Sequence, residues 1–312
     1  MQNRDGLKYY QGKDISWYME NDKFITVVVM VYKNFSGLET TISSIIDQKY
    51  ENIELIVSDD GSSNFKNSYF NRFESACARR FKKYKLIHNE ENIGTVKHFN
   101  NIIKISNGDI IVPLSSGDKF INNDVIGMID KHFNENNCLL CTSQRKELGG
   151  NARVLPKLFE LNKLNNCKKT LNHILLYGNF IGGATTYYSR NVFEKYGYFD
   201  EKYTLCEDLP FFIKMLSNDV KISPLSKITI GYNLDGISSS KKRNPLLDND
   251  YVNIFKNALN ENNDKLYFFA KRALKYRIEK YGVNASKAIV TIKYLDIVGI
   301  LICSTILSKW RS

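Results

Sequence analysis

No glycine-rich turn of the GxGxxG kind follows the first apolar run of this chain, where "FITVVVMVY" (residues 24–32) leads into "KNFSG". A dinucleotide-dependent oxidoreductase on a doubly wound sheet needs that turn to bring backbone against a pyrophosphate, so that class is disfavoured. Cysteines are few and scattered (Cys77, Cys138, Cys141, Cys167, Cys206, Cys303), and no N-terminal apolar segment resembles a signal peptide. Both features point to a reducing cytoplasm and away from a disulfide scaffold. "CLLC" at Cys138–Cys141 has metal-like spacing but no second Cys or His pair nearby, so buried strand thiols are expected. The basic residues belong to no recognisable nucleic-acid module, and nucleic acid is not expected as a partner. Finally, the most apolar stretch, residues 288–307, "AIVTIKYLDIVGILICSTIL", is interrupted by Lys293 and Asp296. Each such charge costs about 2.5–3.5 kcal/mol at a bilayer centre, which argues against spanning.

What is present is a chain of 312 residues, 43% hydrophobic and 25% charged, enough to bury a sizeable core and too apolar to be disordered in bulk. The net charge of +11 is unevenly spread: residues 241–312 hold 14 Lys and Arg against 6 Asp and Glu, or +8 of the total. A basic tail is drawn to an anionic membrane surface. The 288–307 segment is therefore expected either to lie at a membrane interface, anchored by Lys309, Trp310 and Arg311, or to pack on the domain or on a second copy in a homo-oligomer. The abundance of Asn, Lys and Ile is compatible with an AT-rich bacterial genome, which would also inflate the charge.

Strands and helices alternate. "FITVVVMVY" reads as a strand buried on both faces, and "SGLETTISSIIDQ" places Leu38, Ile42, Ile45 and Ile46 at helical spacing with Ser36 as N-cap. "IELIVSDDGSS" is a second strand entering an acidic turn, "YKLIHNE" a third, and "DIIVPLSSGD" a fourth after a helix bearing Val96, Phe99, Ile102 and Ile103. This is the pattern of a mostly parallel α/β sheet with right-handed crossovers, whose ligands sit beyond the carboxyl ends of the strands. Three such ends carry polar turns: Tyr32–Asn34, Ser58–Ser63 and Ser115–Asp118. Further on, "GNFIGGATTYYSR" reads as a glycine-containing loop and strand, "LCEDLPFFIKML" as a helix opening on Glu207 and Asp208, and residues 250–281 and 285–307 as helical. "DGISSSKKRNP" reads as a loop or linker ahead of them.

The first strand, the "DDGSS" turn, the crossover "NIGTVKHFNNIIKISNGDIIVPL" and "FEKYGYFDEKYTLCEDLPFFIKM" occur in order over about residues 24–240 and together resemble the inverting family 2 glycosyltransferases of the GT-A fold. The resemblance implies a GT-A, Rossmann-like catalytic domain over 24–240, between an N-terminal extension (1–23) and a basic helical C-terminal region (241–312). By resemblance, Asp59 accepts from an imide N–H of the nucleotide base, Tyr32 flanks that base and Asp60 shapes the turn, with Ser115 and Ser116 at the nucleotide. Asp208 is the general base toward the acceptor hydroxyl, and Glu207 orders the helix end or holds a sugar hydroxyl. Gly182 and Gly183 either let backbone approach the acceptor or simply make a turn.

At the end of the fourth strand the resembled family keeps a DxD-type carboxylate cluster, whereas this chain reads Ser115, Ser116, Gly117 and Asp118. Three readings stay open. Asp118 takes over as ligand of a divalent Mg²⁺ or Mn²⁺, which needs only one or two carboxylates when phosphates and waters complete its shell. Or Lys119 and the loop carrying Lys241 and Lys242 neutralise the diphosphate directly. Or the site binds without turnover. The expected function is transfer of a sugar from a nucleotide-diphosphate donor, UDP-linked, to a glycan acceptor on a lipid carrier, with inversion, in bacterial capsular or surface-polysaccharide biosynthesis at the inner membrane face. The alternative is a non-catalytic nucleotide-sugar or glycan-binding protein.

Overall fold

The alternating apolar runs fold as expected in the first half of the chain. The computed structural model describes residues 22–149, 152–234, 244–282 and 286–310. Most of the expected N-terminal extension, Lys241 and Lys242 with the rest of their loop, the side chains of Lys309 and Trp310, and Arg311 lie outside the described residues.

The first elements are β1 (Ile25–Val31), α1 (Leu38–Ile46), β2 (Ile53–Asp59), α2 (Ser68–Arg80), β3 (Lys83–His88), α3 (Thr95–Ile105) and β4 (Ile110–Ser115). They are followed by β5 (Lys119–Phe120), α4 (Val125–Asn136), β6 (Leu140–Glu147), β7 (Val154–Leu155), α5 (Leu158–Leu161) and α6 (Cys167–Tyr177). The remainder is β8 (Thr186–Ser189), α7 (Arg190–Tyr196), α8 (Asp208–Ser217), β9 (Ile222–Tyr232), α9 (Pro245–Glu261), α10 (Phe268–Tyr281), α11 (Lys287–Lys293) and α12 (Leu295–Trp310). The strands form one sheet in the order β3-β2-β1-β4-β8-β6-β9-β5, with β7 beside β6. Strands β3, β2, β1 and β4 are parallel, as the long helical crossovers require, and β8 then enters antiparallel.

Successive residues of a strand face opposite sides, which explains the unbroken apolar run of β1. Ile25, Val27, Val29 and Val31 join one core with α1, α2 and α4, while Val28 joins another with α3, α6, α8, α9 and α10. The expected domain boundary near residue 240 falls just ahead of α9, yet α9 and α10 contribute Ile254, Phe255, Ala258, Ala270 and Leu274 to that second core. Two local expectations are corrected. Ser36 does not cap α1: its hydroxyl bonds Asn34 Oδ1, and Gly37 occupies the cap position without a side-chain bond. The helix expected over 285–307 is two helices, α11 and α12, meeting at 87°. The two charges inside the apolar stretch flank this break: Lys293 pairs with Glu279 at 2.7 Å and Asp296 with Arg272 at 2.6 Å, both partners on α10.

Phe212, fully buried on α8, is a measure of how tightly the second core is packed. Phe212→Ala is expected to lower the unfolding free energy by about 3–5 kcal/mol, read as a shift of the urea midpoint at unchanged slope.

Candidate active site

The three strand-end turns singled out in the sequence meet at the carboxyl edge of the sheet. Adjacent β1, β2 and β4 deliver them there, and side chains tie them together. Lys33 N donates to Ser62 Oγ at 2.7 Å, Asn34 Nδ2 to the Ser116 carbonyl at 2.8 Å, and Asp60 N to the Val31 carbonyl at 2.9 Å. Ser115 ends β4 with its side chain exposed, whereas the Ser116 hydroxyl is buried and spent on the Asn34 carbonyl. Tyr32 is 41% exposed beside Lys33, whose Nζ lies 4.8 Å from the ring centroid.

Both acids of "DDG" work as turn anchors. The Asp60 carboxylate accepts from Ile93 N and Gly94 N at 3.1 Å each. Asp59 is 0% exposed: Oδ2 accepts from Ser62 N at 2.9 Å and faces His88 Nδ1 at 2.8 Å, and Oδ1 accepts from the Ser62 hydroxyl. His88 in turn stacks on Phe65 with centroids 3.9 Å apart. A carboxylate has about four lone-pair positions, so Asp59 keeps one, shielded from solvent by the turn it holds. The imide contact expected of Asp59 thus requires that turn to open.

At the end of β4, Asp118 is 3% exposed, and its Oδ1 accepts from Asn233 N at 2.8 Å. Burial raises its pKa to about 7, opposed by that hydrogen bond and by the charge of Arg145. Gly117 has φ +104°, and a β-carbon there would lie 2.7 Å from Asn233 Nδ2. A carboxylate therefore cannot be carried at position 117 without rearrangement. Among the described residues no group of three or more His, Cys, Asp or Glu is placed to hold a metal ion. One inward-turned carboxylate beside a crowded glycine is a poor fit to a divalent cation, which needs oxygen ligands facing it. Lys119, the next residue, stands on β5 opposite Gly231, half-buried.

Glu207 and Asp208 lie at the start of α8 and face the Gly182–Gly183 turn: a β-carbon on Gly183 would stand 3.1 Å from Asp208 Oδ2. The close approach, more than turn-making, explains this glycine. Burial raises the pKa of both acids, Glu207 to about 8 with the Asp208 charge adding to it. On Asp208 the rise is opposed by hydrogen bonds from Leu209 N (2.6 Å), the Cys206 thiol and Gly183 N. Both acids are thus lifted above the ordinary carboxylate value, the direction that strengthens a base.

Two residues of this site were not found from the sequence. Asp250 of α9, 2% exposed, accepts from Thr204 N, Leu205 N and Cys206 N at 2.7–3.1 Å and so fixes the loop leading into Glu207. Arg145 of β6 reaches the Gly182 turn, where a β-carbon on that glycine would lie 2.5 Å from Nη1. Nothing in local spacing marks Asp250, which sits 46 positions beyond Thr204.

The sequence model of glycosyl transferase family 2 matches residues 26–197, more than half of the chain. The chain belongs to glycosyl transferase family 2. An uncharacterized glycosyltransferase of Haemophilus influenzae is 35% identical over 82 residues, 26% of this chain and 24% of that protein. The Escherichia coli UDP-Glc:alpha-D-GlcNAc-diphosphoundecaprenol beta-1,3-glucosyltransferase WfgD is 29% identical over 152 residues, 47% of this chain and 57% of the relative. The match thus spans about a quarter and just over half of these two relatives. Among solved structures, S. aureus TarS 1-349 in complex with UDP-GlcNAc superposes with TM-score 0.60 at 19% identity, covering 82% of this chain and 71% of its own. The mannosyltransferase PcManGT from Pyrobaculum calidifontis, in complex with GDP-Man and Mn2+, gives TM-score 0.60 at 14% identity over 93% and 81% of the two chains. These likenesses establish the fold as GT-A, the fold expected of a family 2 glycosyltransferase.

Asp250→Asn keeps the shape of the anchor but exchanges its charge for one amide oxygen and two donors. Amide exchange at Thr204, Leu205 and Cys206 is expected to speed up about tenfold or more in this variant, while amides of β1 and β2 stay protected. Unchanged exchange at all three positions would show that Asp250 does not hold the loop.

Proposed function

We propose that this family 2 chain transfers a sugar from a nucleotide-diphosphate donor, UDP-linked, to a glycan hydroxyl by single displacement with inversion. The observation that carries the reading is Asp208: a carboxylate of raised pKa at the start of α8, against a glycine turn, on the ligand edge of the sheet. In the reaction the acceptor oxygen attacks the anomeric carbon as its proton passes to Asp208, and the nucleoside diphosphate departs from the opposite face. Glu207 sets the electrostatics of that base. Tyr32, Ser115 and the turns at Asp59 and Asp60 supply the nucleotide cradle, and Gly182 and Gly183 admit the sugars. TarS with UDP-GlcNAc and PcManGT with GDP-Man support a nucleotide-sugar donor, and the name of WfgD supports a lipid-diphosphate acceptor in polysaccharide assembly. A non-catalytic sugar-nucleotide-binding protein is the second reading, favoured by Gly117 where a cation ligand is expected.

The sign of the pH dependence follows from the direction of the shift. Asp208 must be ionised to accept the proton and its pKa is raised, so kcat/KM is expected to rise with pH along an acid limb centred above the usual carboxylate value of about 4. Asp208→Asn should lose about 10²- to 10⁴-fold in turnover with nucleotide binding retained. Screening UDP-sugars for transfer provides the assay. Wild-type binding without turnover, matched by the variant, would select the second reading.

The acceptor's carrier bears on the C-terminal helices. Among the described residues no single helix is long and apolar enough to cross a membrane. Val290, Tyr294 and Ile297 pack on Ala273 and Tyr276 of α10, but Ile289 and Ile292 are each 68% exposed, and Leu295, Ile302, Ile306 and Leu307 are also exposed. Isolated exposed apolar residues are ordinary, whereas a contiguous set beside a basic region is suited to an anionic interface. We infer peripheral attachment of the full chain to a membrane face through α11 and α12. The full chain is expected to float with phosphatidylglycerol vesicles and the double variant Ile292→Glu, Ile302→Glu to remain at the bottom of the gradient. Wild type that stays at the bottom and sediments as a dimer would assign the surface to a homo-oligomer instead.

A further inference from the structure

Arg145 has no task in the reaction as proposed so far, yet it touches the Gly182 turn beside Asp208 and acts on Asp118. Strand register sets it on β6 opposite Ile230 of β9 and Leu155 of β7. Its guanidinium carbon lies 4.7 Å from the centroid of the Tyr232 ring. Nη1 crowds the Gly182 turn, and the next residue, Gly183, crowds Asp208. On its other side Arg145 acts electrostatically on Asp118. Its buried Nε has no hydrogen-bond partner among the described residues. A buried N–H without an acceptor is costly, and a planar fork of donors matches two oxygens of one phosphate.

The position where a cation ligand is expected is closed, by contrast. A β-carbon at Gly117, whose φ is +104°, would meet the Asn233 side-chain amide at 2.7 Å, and the Asp118 carboxylate accepts from Asn233 N. The negative charge that grows on a departing diphosphate still needs an electrostatic partner in place before the bond breaks.

We propose that Arg145 meets the donor diphosphate as the sugar leaves, in the place of a carboxylate-held divalent cation; this rests on the transferase reading above. The acceptor oxygen forms its bond to the anomeric carbon. The bond from that carbon to the β-phosphate oxygen breaks, its electron pair stays on the oxygen, and the acceptor proton goes to Asp208. Arg145 keeps its own protons and donates hydrogen bonds to the phosphate oxygens.

Calorimetric titration of the full chain in EDTA with UDP, UMP, GDP and GMP tests this, because the difference between diphosphate and monophosphate isolates the second phosphate. Wild type is expected to bind one diphosphate about 10- to 100-fold more tightly than its monophosphate. Arg145→Met, which keeps an apolar stem over Tyr232, should lose that difference while binding the monophosphate as before, with an unchanged melting temperature. Arg145→Lys, which keeps the charge without the fork, should retain part of it and serves as the test if the Met variant folds poorly. A wild-type difference that appears only with Mn²⁺ and survives in Arg145→Met overturns the proposal and leaves the transferase reading standing. Absence of all four nucleotides from the wild-type site, with EDTA or with Mn²⁺, overturns the transferase reading itself.

Discussion

Buried carboxylates that accept backbone N–H groups hold the ligand edge of this sheet in shape. Loops at strand ends have no ladder to satisfy their amides, and each unpaired amide taken out of water is costly. Here Asp250 takes three such groups, Asp60 two, and Asp59 and Asp118 one each. The anchors connect. Asp60 fixes Ile93 and Gly94, the Gly94 turn abuts the Thr204 carbonyl, and Thr204 N is held by Asp250. The loop that ends in Glu207 and Asp208 is therefore positioned from two sides, by the turn that Asp60 holds and by α9.

This division of labour separates two kinds of acid. Asp250 is deeply buried, and its carboxylate accepts from three backbone N–H groups of one loop. Glu207 and Asp208 are half-buried neighbours whose pKa values burial shifts upward, with the Asp208 charge adding to the shift of Glu207. The first kind gives rigidity, whereas burial lifts the second above the ordinary carboxylate value. Asp118 belongs between them, with one donor and a pKa lifted to about 7. Its electrostatic neighbour is Arg145, whose charge opposes the rise.

What the sequence made legible is local. The β1, β2 and β4 runs, the helical faces of α3 and α8, and the three polar strand ends could be read because apolar periodicity and turn chemistry are properties of contiguous residues. The parallel order then forces those ends to one edge. Asp250 and Arg145 were illegible for the opposite reason: their contacts arise from the packing of α9 and from the register of β6 against β9. Arg145 sits in "TSQRKE", which reads as an ordinary polar strand end. Asp59 was misjudged in access more than in place, since the letters of "DDGSS" do not show that Ser62 folds back to cover it. Lys293 and Asp296 look like interruptions of an apolar span, and only α10 reveals them as partners of Glu279 and Arg272 on either side of the bend.

The C-terminal helices link these observations to the proposed acceptor. Helix α9 supplies Asp250 to the loop that ends in Glu207 and Asp208, α10 shares its core, and Arg277 of α10 donates to the carbonyls of Leu175 and Leu176 in α6. Helices α11 and α12 are fastened to α10 through Glu279 and Arg272. The apolar surface is thus joined to the Glu207–Asp208 loop by packed helices and ion pairs, with no free linker between α10 and the loop's anchor. A domain on a flexible tether samples many heights above a membrane, whereas a packed one holds a single height and tilt. In the proposed reading this rigidity is functional. A sugar on a lipid diphosphate stands at a fixed distance from the bilayer, and orientation by packing brings its hydroxyl to Asp208 without the entropic cost of a search.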